Sequence, residues 1–146
     1  MVEPHLVSSI QLESGITRSL DWSEITPVFT PEAARETTVM MDALFDEKLE
    51  HGLAKIPTMS VAAKTGTAQL PTPTGTYYKD RFLHSEVAFF PSFNPRFIIL
   101  LYTNDPKHVE YASETLTPTL LDLVHFLIDY YEIPPDRGVA TSTPTL

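Results

Sequence analysis

The stretch Ser60-Val61-Ala62-Ala63-Lys64-Thr65-Gly66-Thr67-Ala68-Gln69 holds the residues best suited to chemistry. One cation and two hydroxyls flank a glycine in a segment that otherwise reads as a strand. A strand interior gains nothing from glycine unless a bulge, another backbone or a ligand comes close. An edge of this composition could hold a carboxylate through Lys64, Thr65 and Thr67. It could also offer backbone N–H groups to an extended peptide by strand addition. The competing interpretation is a solvated edge lysine beside a bulge glycine, and composition alone does not choose between them. A phosphate loop does not fit, because that pattern puts Gly-Lys-Ser/Thr at the start of a helix. Here Ala63 precedes Lys64 and Gly66 follows.

Other candidates carry less. His5, His51, His84, His108 and His125 show no metal-ligand spacing, and with no cysteine present neither a metal site nor a cofactor is expected. Asp42, Asp46, Glu47 and Glu50 cluster on one predicted helix and read as a solvated face. Tyr77, Tyr78 and Phe82 follow a Pro-rich loop and suit either a cleft mouth or local packing.

The positioning elements follow from pattern. His5 to Gln11 and Ile16 to Trp22 read as a strand pair around the turn Glu13-Ser14-Gly15. Thr30-Pro31-Glu32 opens a helix, with Thr30 as N-cap, and Gly52 is its expected stop. Strands are expected at Thr58–Leu70, Phe82–Phe90 and Arg96–Thr103, with connections short enough for antiparallel pairing. A last helix covers about Glu114–Tyr131, with Leu120, Val124, Leu127, Ile128 and Tyr131 on its apolar face. Pro118 limits its start or kinks it, and Pro134-Pro135 ends it. The expected fold is α+β: an antiparallel sheet, made of the Lys-Thr-Gly strand and the two strands after it, covered by helices. Residues 1–136 form one expected domain unit, and 137–146 an expected disordered tail.

The 146 residues carry a net charge of −9, which excludes a nucleic-acid backbone as partner. No apolar run reaches the roughly 18 residues that span a bilayer. Met1-Val2-Glu3-Pro4-His5 lacks the basic and apolar regions of a signal peptide, so no leader is expected within the chain.

Val61-Ala62-Ala63-Lys64-Thr65-Gly66-Thr67-Ala68-Gln69 resembles the third signature of penicillin-binding proteins and serine β-lactamases, and the class B transpeptidases in particular. The resemblance extends over residues 4–136, in order. Pro4-His5-Leu6-Val7, Phe89-Phe90-Pro91, Asn94-Pro95-Arg96, Ser113 to Pro118 and Tyr131 to Pro135 all take part. It implies the C-terminal part of a transpeptidase domain on the extracytoplasmic face of a bacterial membrane. The implied ligands are D-Ala-D-Ala stem peptides and β-lactams, and the implied partner is the rest of the domain. Lys64 and Thr67 would take catalytic roles, the Thr67 N–H as an oxyanion donor. Lys64, Thr65, Gly66 and Thr67 would bind substrate. Two departures stand out: Ala63 replaces the family's usual Gly, and no serine has lysine three residues later. Ser92-Phe93-Asn94 and Tyr102-Thr103-Asn104 spell Ser-x-Asn-like motifs downstream of Lys64, where the family does not place them. The chain alone is therefore expected not to acylate. A non-catalytic peptide- or partner-binding module using the same strand is the alternative.

Overall fold

Thr30 caps a helix as its sequence suggests: its Oγ1 accepts the Ala33 N–H at 3.2 Å, and α1 runs Pro31–Glu47. The computed structural model describes residues 5–22 and 26–138. Of the expected tail 137–146, residues 139–146 lie outside the described residues, while Arg137 is held by Asp42 and Asp46. The chain divides into two compact units between Ala34 and Arg35.

In the first unit β1 (Ser9–Gln11) pairs antiparallel with β2 (Thr17–Ser19), both shorter than the sequence pattern implied. Gly15 supplies the left-handed turn residue, with φ of 83°. The Trp22 ring stacks on His5 at 4.9 Å, and its Nε1 donates to the Val7 carbonyl at 2.8 Å.

In the second unit α1 ends at Glu47, five residues before Gly52. A short 3-10 turn, Leu49–Gly52, follows, with Glu50, His51 and Gly52 all at positive φ. Three strands form an antiparallel sheet in the order β3-β4-β5: β3 (Ala62–Pro71), β4 (Tyr77–Phe90) and β5 (Phe97–Asn104). The first expected strand thus starts four residues late, at Ala62, and runs one residue further, to Pro71. The middle one starts five residues early, at Tyr77, after a turn closed by Thr72 N–H on the Thr76 carbonyl. α2 (Ala112–Tyr130) runs straight through Pro118, and Glu114 caps its start by accepting the Tyr111 N–H at 3.2 Å.

Cross-strand partners share a face, because side chains alternate along a strand. Ala63, Thr65 and Thr67 of β3 thus share a face with Ala88, Glu86 and His84 of β4 and with Ile99, Leu101 and Thr103 of β5. This face is covered. Val61, Ala63, Ala88 and Phe90 pack with Phe45, Leu120, Val124 and Ile133 into one apolar core. The opposite face carries Lys64, Gly66 and Ala68 with Val87, Ser85 and Leu83, then Leu100, Tyr102 and Ile98. Ile98, Leu100 and Tyr102 are 75%, 66% and 72% exposed there.

A polar clasp closes the back of the unit. Arg137 donates to Asp42 at 2.9 and 3.0 Å and to Asp46 at 2.9 Å. Asp136 accepts from both the N–H and the hydroxyl of Ser60, and the Ser60 Oγ accepts the Ser92 N–H at 2.7 Å. Asp42 and Asp46, read from sequence as a solvated face, are instead the anchors of this clasp, and Arg137 is only 20% exposed. No helix among the described residues is long and apolar enough to cross a membrane.

Candidate functional site

β3 is an outer strand, so alternate residues along it turn their N–H and C=O away from β4. No other strand pairs with that side among the described residues. This is the feature an extended ligand needs for strand addition.

The pleat separates the four candidate residues into two pairs. Lys64 and Gly66 lie on the face turned from α2, and Thr65 and Thr67 on the face turned toward it. Lys64 and Thr67 are exposed, Thr65 and Gly66 half-buried. Lys64 Nζ donates to the Thr65 carbonyl at 2.6 Å, which folds the ammonium back against its own strand. An ammonium has three donors, so two remain for a ligand.

Thr67 is oriented from behind. Its Oγ1 accepts the Ala112 N–H at 3.1 Å, from the first residue of α2. A hydroxyl whose lone pair is occupied in this way still has its own proton to donate, which is what a carboxylate requires. Thr65 borders a cavity of about 230 Å³ lined also by Leu44, Lys48, Glu50, His51 and Ser113. A larger cavity, about 580 Å³, lies beside Arg81, Lys107 and His108 and includes none of residues 64–67.

Gly66 has a local reason. A Cβ built there would lie 2.6 Å from Ser85 Oγ on the paired position of β4. The glycine lets this serine stand upright beside the strand and leaves the backbone bare.

The sequence reading missed the row behind the strand. Glu86 and His84 are the register partners of Thr65 and Thr67, and both are fully buried. Glu86 accepts from the Thr117 hydroxyl at 3.1 Å to each carboxylate oxygen. Burial pushes its carboxyl up to about 7, partly offset by the Thr117 bond, with a smaller upward push from Glu50. Nothing local signals this row, since His-Ser-Glu in a strand looks like a polar surface; its partners, the Glu110 carbonyl and the Thr115 and Thr117 hydroxyls, come from 26 or more residues further along the chain.

The other sequence candidates lie away from residues 64–67: Tyr77 is exposed and Phe82 borders the larger cavity. Ser92 is buried, with its Oγ donating to Asp42 at 2.7 Å, so Ser92-Phe93-Asn94 is part of the clasp rather than a second active-site motif. The Tyr78 ring sits under Arg81 at 4.6 Å, and Phe82 lies 6.1 Å from the His84 ring. Among the described residues no group of three or more His, Cys, Asp or Glu is placed to hold a metal ion.

An antiparallel sheet under one long C-terminal helix, with Lys-Thr-Gly on its outer strand, places the chain among α+β domains. The profile of the penicillin-binding protein transpeptidase domain matches residues 1–124, and the chain belongs to that family. A peptidoglycan D,D-transpeptidase FtsI homolog of Mesostigma viride is 31% identical over 125 residues, covering 83% of this chain and 19% of that relative. A probable peptidoglycan D,D-transpeptidase PbpC of Pseudomonas aeruginosa is 24% identical over 125 residues, covering 84% of this chain and 22% of the relative. Among solved structures, penicillin-binding protein 3 of Mycobacterium tuberculosis complexed with ampicillin superposes with a TM-score of 0.73 at 20% identity. It covers 95% of this chain and 33% of its own. The chain thus spans about a fifth of these curated relatives and a third of that structure.

Proposed function

We propose that this chain forms the substrate-gripping wall of a serine-type peptidoglycan D,D-transpeptidase that β-lactams also acylate. The observation that carries the proposal is the outer strand itself: an exposed Lys64 and Thr67 flank a bare Gly66 on an edge that no strand covers among the described residues. In this reading the Thr67 and Thr65 hydroxyls hold the terminal carboxylate of a D-Ala-D-Ala stem peptide. Lys64 adds positive potential and helps place protons near the nucleophile. The Thr67 N–H is one of two donors to the oxyanion. A serine supplied from outside these 146 residues attacks the penultimate D-Ala carbonyl, forming an ester and releasing D-Ala. The amine of a neighbouring stem peptide then displaces the serine oxygen. The family relatives support an extracytoplasmic, cell-wall setting.

The rest of the transpeptidase domain is the proposed partner. Phe97-Ile98-Ile99-Leu100-Leu101-Tyr102 is apolar on both faces of β5, the pattern of a strand buried on both sides. Among the described residues only one of those faces is covered.

The test is acylation by a fluorescent penicillin. In the parent protein Lys64→Ala is expected to slow labelling by about 10²-fold, the scale of losing a proton-positioning or oxyanion-stabilising group. The chain alone, having no Ser-x-x-Lys, is expected to take no covalent label. A labelled isolated chain, or a Lys64→Ala parent that acylates at the unaltered rate, overturns the proposal. Reversible binding of a D-Ala-D-Ala peptide by the isolated chain, lost in Lys64→Ala, would instead favour the binding-module alternative.

A further inference from the structure

His84 is fully buried in β4, directly opposite Thr67 in the ladder, and both its ring nitrogens are held. Nε2 lies 2.9 Å from the Glu110 carbonyl. A carbonyl only accepts, so Nε2 carries a hydrogen. Nδ1 lies 2.9 Å from Thr115 Oγ1, and that same hydroxyl lies 3.1 Å from the Ala112 carbonyl. Ala112 in turn donates its N–H to Thr67 Oγ1. The contacts close a circuit: Thr67 to Ala112, Ala112 to Thr115, Thr115 to His84, and His84 back to Thr67 across the strand pair.

We propose that His84 is a positioning residue for Thr67. The imidazole pins the Glu110–Ala112 segment and the first turn of α2, so that the Ala112 N–H meets the Thr67 hydroxyl and fixes the direction of its proton. Thr115 is the adjustable member. It has one hydroxyl hydrogen and two acceptors, His84 Nδ1 and the Ala112 carbonyl. With Nδ1 bare, that hydrogen is shared between the ring and the Ala112 carbonyl, which ties the imidazole to the first turn of α2. The consequence for function rests on the reading above, in which the Thr67 hydroxyl grips a carboxylate. A substitution at Thr115 would therefore weaken the grip without touching any ligand-facing atom.

The experiment is nuclear magnetic resonance on the labelled chain carrying Ile98→Lys, a change on the uncovered face that keeps it dispersed. Long-range proton–nitrogen correlations are expected to show a slowly exchanging hydrogen on His84 Nε2. A ring with its hydrogen on Nδ1 alone overturns the assignment, and this measurement needs no destabilising variant. Thr115→Val keeps the shape and removes the hydroxyl. It is expected to speed Ala112 amide exchange at least tenfold and to move the Thr67 amide resonance. Thr117→Val, one position pair along the helix and bonded to Glu86 instead, is the control, expected to leave both within twofold of the starting protein. Equal effects from the two variants would mean general loosening and would overturn the proposal. In the parent protein Thr115→Val is expected to slow penicillin acylation about tenfold while Thr117→Val does not; unchanged acylation by Thr115→Val contradicts the link to Thr67. If the unaltered parent fails to acylate at all, the transpeptidase reading fails while the resonance measurements still decide the role of His84.

Discussion

Replacing Glu86 with Gln keeps the shape of a side chain enclosed between β4 and α2 and removes its titration. Burial lifts this carboxyl to about 7 from an ordinary 4.5. Between those values the unfolded chain has released the proton while the folded chain keeps it. The folded state then binds more protons, so stability falls as pH rises through this window and levels off above about pH 7. At about 1.4 kcal/mol per pKa unit, the full loss is about 3 kcal/mol. Glu86→Gln has no such loss, and its amide can still accept from Thr117. Urea unfolding at fixed protein concentration, from pH 4.5 to pH 8, is the assay. The variant's advantage over the unaltered chain is expected to grow by up to about 3 kcal/mol across that range. For urea slopes typical of small domains this displaces the midpoint by roughly 1–2 M. Stability curves that run parallel from pH 4.5 to pH 8 would refute the reasoning, since they would mean Glu86 titrates alike in both states.

Arg137→Ala takes from Asp42 its cation and leaves Asp46 only Lys55 at 3.3 Å, and is expected to cost roughly 2–3 kcal/mol, read by thermal or urea unfolding. Gly66→Ala sets a methyl against Ser85 Oγ and is expected to cost roughly 1 kcal/mol, with Ser85→Gly restoring most of it in the double variant. The bare face carrying Ile98, Leu100 and Tyr102 is expected to make the isolated chain self-associate, seen as a sedimentation coefficient that rises with concentration. Ile98→Lys is expected to suppress that rise; a dispersed unaltered chain would show that the face needs no cover.

Much of the architecture was legible because its signals are local. The Thr30 cap, the apolar stripe Leu120, Val124 and Leu127, and the unbroken apolar run of β5 each depend on a few neighbouring residues. The Lys-Thr-Gly strand was legible because glycine between two threonines has few reasons to exist in a strand. What escaped depends on distant partners. Tyr77 to Arg81 look like loop residues by composition but pair with β3 as far as Pro71. Pro118 suggested a break, yet α2 continues through it because Leu116, Leu120 and Val124 bury against the sheet on either side. Asp42 and Asp46 read as surface charge because the arginine that meets them is far along the chain. His84 and Glu86 read as surface polar for the same reason. The pleat also divided a set of side chains that the linear motif presents as one, so Lys64 and Thr67 lie on opposite faces of a single outer strand.

The arginine clasp has a consequence for how the chain is made. Asp42 emerges from the ribosome 95 residues ahead of the cation that neutralises it. Until Arg137 appears, Asp42 has no cation and Asp46 has only Lys55, and the Ser60 turn that leads into the Lys-Thr-Gly strand lacks its Asp136 acceptor. The back of the domain can therefore lock only once translation has passed the end of α2. A chain cut short between Tyr131 and Arg137 would keep every helix and strand yet leave that turn untethered.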